Sequence, residues 1–141
     1  TMRILIVNGP NLNLLGKREP SIYGSEGFDG FFEELQGNVS DAELEYYQSN
    51  VEGELVDKLQ SAQVDGVLFN AAAYTHTSVA LRDVIAAIET PVVEVHISNV
   101  LSREEFRHTS LIGGVCVGSI SGFGLNSYRL GVTALVDYLN S

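Results

Sequence analysis

The chain has 141 residues, 45% of them apolar, which supplies one domain with a core and argues against disorder. Eight Lys+Arg against eighteen Asp+Glu give a net charge of −10, which argues against nucleic acid or an anionic membrane as the main partner. A small anionic substrate stays open, provided the scarce cations converge on one site. In chain order, Ile4–Val7 is a continuous apolar run, as in a strand covered on both faces. It ends in the turn formers Asn8-Gly9-Pro10-Asn11, and residues 9–25 read as a long loop punctuated by prolines and glycines. A helix follows from Phe28 to Gln36, a poor one because Gly27, Gly30 and Gly37 accompany it. Glu43–Gln48 reads as the second strand, Val51–Ala62 as a helix, and Val64–Phe69 as the third strand. The helix Ser78–Ile88 stops before Pro91, and Val92–Ile97 is the fourth strand. Residues 102–108 form a charged turn or short helix, Val115–Ile120 the fifth strand, and Gly124–Leu139 the last helix.

Five strands separated by helices imply a parallel sheet with right-handed crossovers. The expected fold class is α/β: a flavodoxin-like, doubly wound, five-stranded parallel sheet with helices on both faces. Residues 1–141 are read as a single catalytic domain. A lone cysteine, Cys116, supports neither an internal disulfide nor a thiolate cluster, so a cytoplasmic location is expected. No apolar run approaches the roughly 18 residues of a membrane span, and Thr1–Ile4 leads directly into a strand, so no signal peptide is expected.

In such a fold ligands bind beyond the carboxyl ends of the strands, near the point where strand order reverses. That rim collects Asn8, Asn11, Asn13, Arg18 and Tyr23 after the first strand. It adds Asn70, Tyr74, Thr75 and His76 after the third, and His96, Ser98, Asn99, Arg103 and Arg107 after the fourth. Each has an ordinary structural reading. The asparagines suit turns that bond their own backbone. A tyrosine at its reference pKa near 10 stays protonated, and His96 in an apolar strand suits a satisfied core histidine. Arg103 and Arg107 beside Glu104 and Glu105 suit surface ion pairs of small worth. The constellation carries the argument: an acidic chain that gathers its cations on one rim binds an anion there.

Missing motifs narrow the chemistry. No G-x-G-x-x-G or Walker A run follows the first strand, G-x-S-x-G is absent, and the histidines lack metal-site spacing. The only lysines, Lys17 and Lys58, lie in a loop and on a polar helix face, unlike a buried imine-forming lysine. A signalling receiver would need an aspartate where the third strand ends in Asn70, and a lysine after the fifth. A flavin mononucleotide binder would need a Ser/Thr-rich loop where Asn8–Gly16 stands.

The blocks Asn8-Gly9-Pro10-Asn11-Leu12-Asn13-Leu14-Leu15-Gly16, Arg18-Glu19-Pro20 and Tyr23-Gly24 resemble the opening of type II 3-dehydroquinate dehydratases. The same resemblance runs through Gln48-Ser49-Asn50 with Glu52-Gly53-Glu54-Leu55, Asn70 with Thr75-His76-Thr77-Ser78, and Glu94–Asn99 with Arg103-Glu104-Glu105-Phe106-Arg107. It implies reversible loss of water from 3-dehydroquinate to give 3-dehydroshikimate, in the shikimate pathway toward chorismate and aromatic amino acids. It also implies Tyr23 as base, Arg18 as its activator, His96 as acid and Asn11 near the developing enolate. Asn70, Ile97 and Ser98 would hold the substrate carboxylate, and His76 and Arg107 the ring hydroxyls. Asp83 would reach the site of a neighbouring subunit, and Arg103 would support the tyrosinate. The family further implies no cofactor, no metal, and a homododecamer built as a tetramer of trimers. Elimination beside a ketone needs a base, an enolate stabiliser and an acid, which these types supply. Moving a tyrosine from pKa 10 to near 7 takes about 4 kcal/mol. One opposite charge supplies about 1–3 pKa units, so Arg18 and Arg103 together suffice.

Overall fold

The computed structural model describes residues 1–16 and 27–141. Five parallel strands, β1 (Arg3–Asn8), β2 (Glu43–Gln48), β3 (Gly66–Asn70), β4 (Val92–His96) and β5 (Gly118–Ser121), form one sheet in the order β2-β1-β3-β4-β5. Among the described residues four α-helices lie between or after them: α1 (Phe28–Asn38), α2 (Glu52–Ser61), α3 (Val79–Ala87) and α4 (Asn126–Asn140). This is the flavodoxin-like arrangement expected from the alternation of strand and helix patterns, and the order reverses between β1 and β3.

The two-residue period of the strands sorts side chains onto two faces. Ile4, Ile6, Leu68, Val93 and Val95 pack with Phe28, Phe31 and Leu35 of α1 and Tyr128, Val132 and Leu135 of α4. Leu5, Val7, Val67, Phe69 and Val92 pack with Leu55 and Leu59 of α2 and Leu81, Val84 and Ile85 of α3. Burial on both faces explains the continuous apolar runs of β1 and β3. The glycines of α1 do not break it, because Phe28, Phe31 and Leu35 still make a buried stripe.

One expectation shifts. The fifth strand starts at Gly118, not Val115: Val115 and Cys116 donate their N–H groups back to Ile112 and Gly113 in a 3-10 turn, so they are spent before the ladder begins. The charged segment 102–108, expected as a turn or short helix, holds the 3-10 turn Glu105–Arg107, preceded by another at Val100–Ser102. Among the described residues no helix is long and apolar enough to cross a membrane.

Candidate active site

The rim between β1 and β3 is built by close backbone approach. The Gly9 N–H donates to the Asn70 carbonyl at 2.8 Å, and a Cβ on Gly9 would stand 2.6 Å from the Ala71 carbonyl oxygen. The chain then turns at Asn11, whose φ of 70° lies in the left-handed region that asparagine tolerates. The Asn50 side-chain oxygen fixes this turn, accepting from the Asn11 N–H at 3.0 Å and from Gln48 Nε2 at 3.1 Å. Gln48 Nε2 also donates to the Gly9 carbonyl, and the Tyr74 hydroxyl to the Asn50 carbonyl. The Gln48-Ser49-Asn50 block is thus a clamp on the loop that carries Asn11.

At the end of β3, Asn70 is buried and its amide is tied at both ends. Nδ2 donates to the Tyr128 hydroxyl at 2.9 Å, and Oδ1 accepts from the Ala72 N–H at 3.0 Å. Ala72 itself has φ 52°, an uncommon conformation for a residue with a Cβ. Beyond it His76 points Nδ1 at the Thr109 carbonyl at 2.8 Å. A carbonyl only accepts, so Nδ1 carries a proton.

β4 places Glu94 and His96 on the same face. His96 is 8% exposed and its Nε2 lies 2.7 Å from Glu94 Oε2. The carboxylate fixes that proton on Nε2 and leaves Nδ1 as the other ring nitrogen. Ser110 donates to Glu94 Oε2 at 2.7 Å, Ser119 donates to Oε1, and the Gly113 N–H donates to Ser110 Oγ. Burial of Glu94 works to raise its pKa, but hydrogen bonds from His96, Ser119 and Ser110 and the charge of His96 outweigh it, so the carboxyl titrates below its ordinary range. Nearby, burial and the Glu94 charge push the Cys116 thiol up to about 12, which removes it as a nucleophile.

A cavity of about 90 Å³ opens at this rim. Its described lining includes Asn11, Asn70, His76, His96, Ile97, Ser98, Arg103 and Arg107, with Pro10, Leu12, Leu15, Ala72, Ala73 and Val100 as apolar walls. The two arginines were open to a plain surface-pair reading. Both do face Glu104, Arg107 Nε at 3.0 Å and Arg103 Nε at 3.8 Å, yet their side chains are only 23% and 15% exposed and both line the cavity. Arg18 and Tyr23 lie outside the described residues. Asp83 stands apart, on the exposed side of α3 and away from this cavity. Its neighbour Arg82 donates to the Leu111 carbonyl.

Sequence reading assigned no role to Glu94 or Tyr128. Glu94 had a signal: a carboxylate inside an apolar strand, two residues before a histidine, shares that histidine's face. Tyr128 is remote in sequence from everything it touches at the rim, and only the packing of α4 reveals it.

Comparisons with known proteins bear on the family and the fold. The family model described as dehydroquinase class II matches residues 2–136. A protein named 3-dehydroquinate dehydratase from Exiguobacterium sp. is 56% identical over 139 residues, covering 97% of this chain and 96% of its own. One of the same name from Synechocystis sp. is 56% identical over 143 residues, covering 98% and 93%. The crystal structure of a type II dehydroquinase from Butyrivibrio crossotus superposes with a TM-score of 0.89 at 46% identity, covering 99% of this chain and 98% of that one. With the family matched along almost its whole length and the fold shared, this chain belongs to the dehydroquinase class II family.

Proposed function

We propose that the rim cavity dehydrates 3-dehydroquinate through an enolate, with Tyr23 as base and His96 as acid. The activity follows from the family: the chain is a 3-dehydroquinate dehydratase of type II. The observation that carries the mechanistic reading is the convergence on one cavity of His96, Asn11, Asn70, Arg103 and Arg107, in a chain of net charge −10.

The α-proton passes to the Tyr23 phenolate, and its electron pair moves onto the ketone oxygen as an enolate. The enolate then collapses to a carbon–carbon double bond as the β-hydroxyl leaves with a proton from His96. One water is lost, and transfer of a proton from Tyr23 to His96 through solvent resets the site. Asn11, held in its turn by Asn50, stabilises the enolate through a water. Arg18 and Arg103 supply the positive field that makes a phenolate accessible. The Glu94 carboxylate against Nε2 suits an acid that works from Nδ1 as an imidazolium. Asn70 with the Ile97 and Ser98 backbone receives the substrate carboxylate, and His76 and Arg107 the ring hydroxyls. No cofactor enters this scheme.

Asp83, exposed on α3, suits a contact to a neighbouring subunit's site in a homododecamer. Exposed apolar side chains such as Leu101 and Phe106 support burial against other copies. The reading extends to residues 1–141 as one catalytic domain acting in the cytoplasm on the shikimate pathway.

The test uses two variants. Tyr23→Phe should abolish turnover while product analogues still bind, and near-native turnover would remove the base assignment. His96→Ala should slow loss of the hydroxyl more than exchange of the α-proton with deuterated solvent. Equal loss of both would count against His96 as the acid.

A further inference from the structure

The Tyr128 hydroxyl lies where α4 meets the carboxyl ends of β1 and β3, and it is fully buried. It donates to Asn8 Oδ1 at 2.7 Å and accepts from Asn70 Nδ2 at 2.9 Å. Asn8 in turn directs Nδ2 to the Tyr46 hydroxyl at 3.4 Å, and Asn70 Oδ1 takes the Ala72 N–H. A polar chain, buried from Asn8 onward, therefore runs Tyr46–Asn8–Tyr128–Asn70 and ends on the backbone of a cavity-lining residue.

Hydrogen counting makes this chain directional. A phenol has one proton, and here Asn8 Oδ1 takes it, so toward Asn70 the hydroxyl offers only a lone pair. The Ala72 N–H requires an oxygen at the other end of the Asn70 amide. Both partners select the same orientation, because a flipped amide would oppose N–H to N–H at Ala72. Burial raises the Tyr128 pKa, so the hydroxyl keeps its proton throughout the working range. One of the two Nδ2 protons is spent on Tyr128, and the other remains for the cavity. Without the lone pair of Tyr128, the amide is held at its Oδ1 end alone, by the Ala72 N–H, and Nδ2 is no longer fixed in place.

We infer that Tyr128 is a positioning residue for substrate binding, acting through Asn70 by fixing which way its amide faces. This rests on the reading that Asn70 receives the substrate carboxylate. Tyr128 touches no substrate itself and is absent from the cavity lining. It is contributed by the last helix, far in sequence from the rim it serves.

The experiment measures kcat and KM for 3-dehydroquinate in Tyr128→Phe, Asn70→Ala and the double variant, with assembly checked by sedimentation. Removing an interaction that binds ground and transition state alike raises KM and spares kcat. Tyr128→Phe should raise KM about tenfold with kcat within about threefold, and it should add nothing in the Asn70→Ala background. A general packing role would lower the melting temperature but leave that split unmoved. If Asn70→Ala leaves KM unchanged, the carboxylate reading fails and the positioning role fails with it. If Asn70→Ala raises KM and Tyr128→Phe does not, or if the two effects add, the positioning role alone is overturned. Should Tyr128→Phe not assemble, Asn8→Ala carries the test by freeing the hydroxyl proton. Its KM should rise about threefold and the rise should vanish in the Asn70→Ala background, whereas an unchanged KM would overturn the inference.

Discussion

Glu94 is a carboxylate held in the interior by three side-chain donors, and such a group is costly to disturb. Glu94→Gln removes the charge that His96, Ser110 and Ser119 donate to and replaces one acceptor oxygen by a donor, so a serine hydroxyl there must turn to accept and every remaining bond loses its charge assistance. A loss of about 2 kcal/mol at neutral pH is expected, measured by urea unfolding. The carboxyl titrates below its ordinary 4.5, so on acidification the unfolded chain takes up the proton first. Its contribution is complete above that ordinary value and drains away as pH falls through the folded-state pKa. The gap between the native chain and Glu94→Gln should therefore narrow below about pH 4.5, and a gap constant from pH 7 to 3 would contradict the assignment. At this scale the sequence was legible where a residue's type and its place after a strand put it at the rim, as for His96, Arg103 and Arg107, which line the cavity. It was silent where a role comes from a partner distant in the chain. Asn70 could be picked out from its strand end, but not the tyrosine 58 residues later that holds its amide.

β1 passes β3 at the rim with backbone against backbone. The Gly9 position has backbone as its neighbour, which cannot move aside as a flexible side chain would. Gly9→Ala should cost about 3 kcal/mol or more and lower activity sharply, because the Asn11 turn shifts with it. Ala72 presents the opposite case: its φ of 52° strains a residue with a Cβ. Ala72→Gly should raise stability by up to about 1 kcal/mol, read from chemical denaturation of both variants side by side. Stabilisation by Gly9→Ala, or a large loss in Ala72→Gly, would refute the strain argument. Apolar runs, turn formers and the alternation of strand and helix patterns gave five strands and their parallel sense. The start of β5 was misjudged because Val115-Cys116-Val117 looks like a strand, while its first N–H groups close a turn on Ile112 and Gly113. Local hydrogen bonding won over β-propensity there.

For the whole molecule, an acidic chain brings Arg103, Arg107, His76, His96 and two asparagines to one cavity, and one proposed ligand, Asp83, is exposed and does not line that cavity. If Asp83 serves a neighbouring copy, Asp83→Ala should raise KM several-fold without loss of stability. Dilution to dissociated chains should mimic that loss, and a fully active monomer would exclude the cross-subunit role. The central claim is that water leaves through an enolate with no covalent attachment to the enzyme. Its most direct test follows the absorbance of the conjugated enone formed from 3-dehydroquinate, before and after incubation with substrate and borohydride. The enolate account predicts unchanged activity and unchanged protein mass. Substrate-dependent inactivation, with substrate mass added at Lys17 or Lys58, would contradict it.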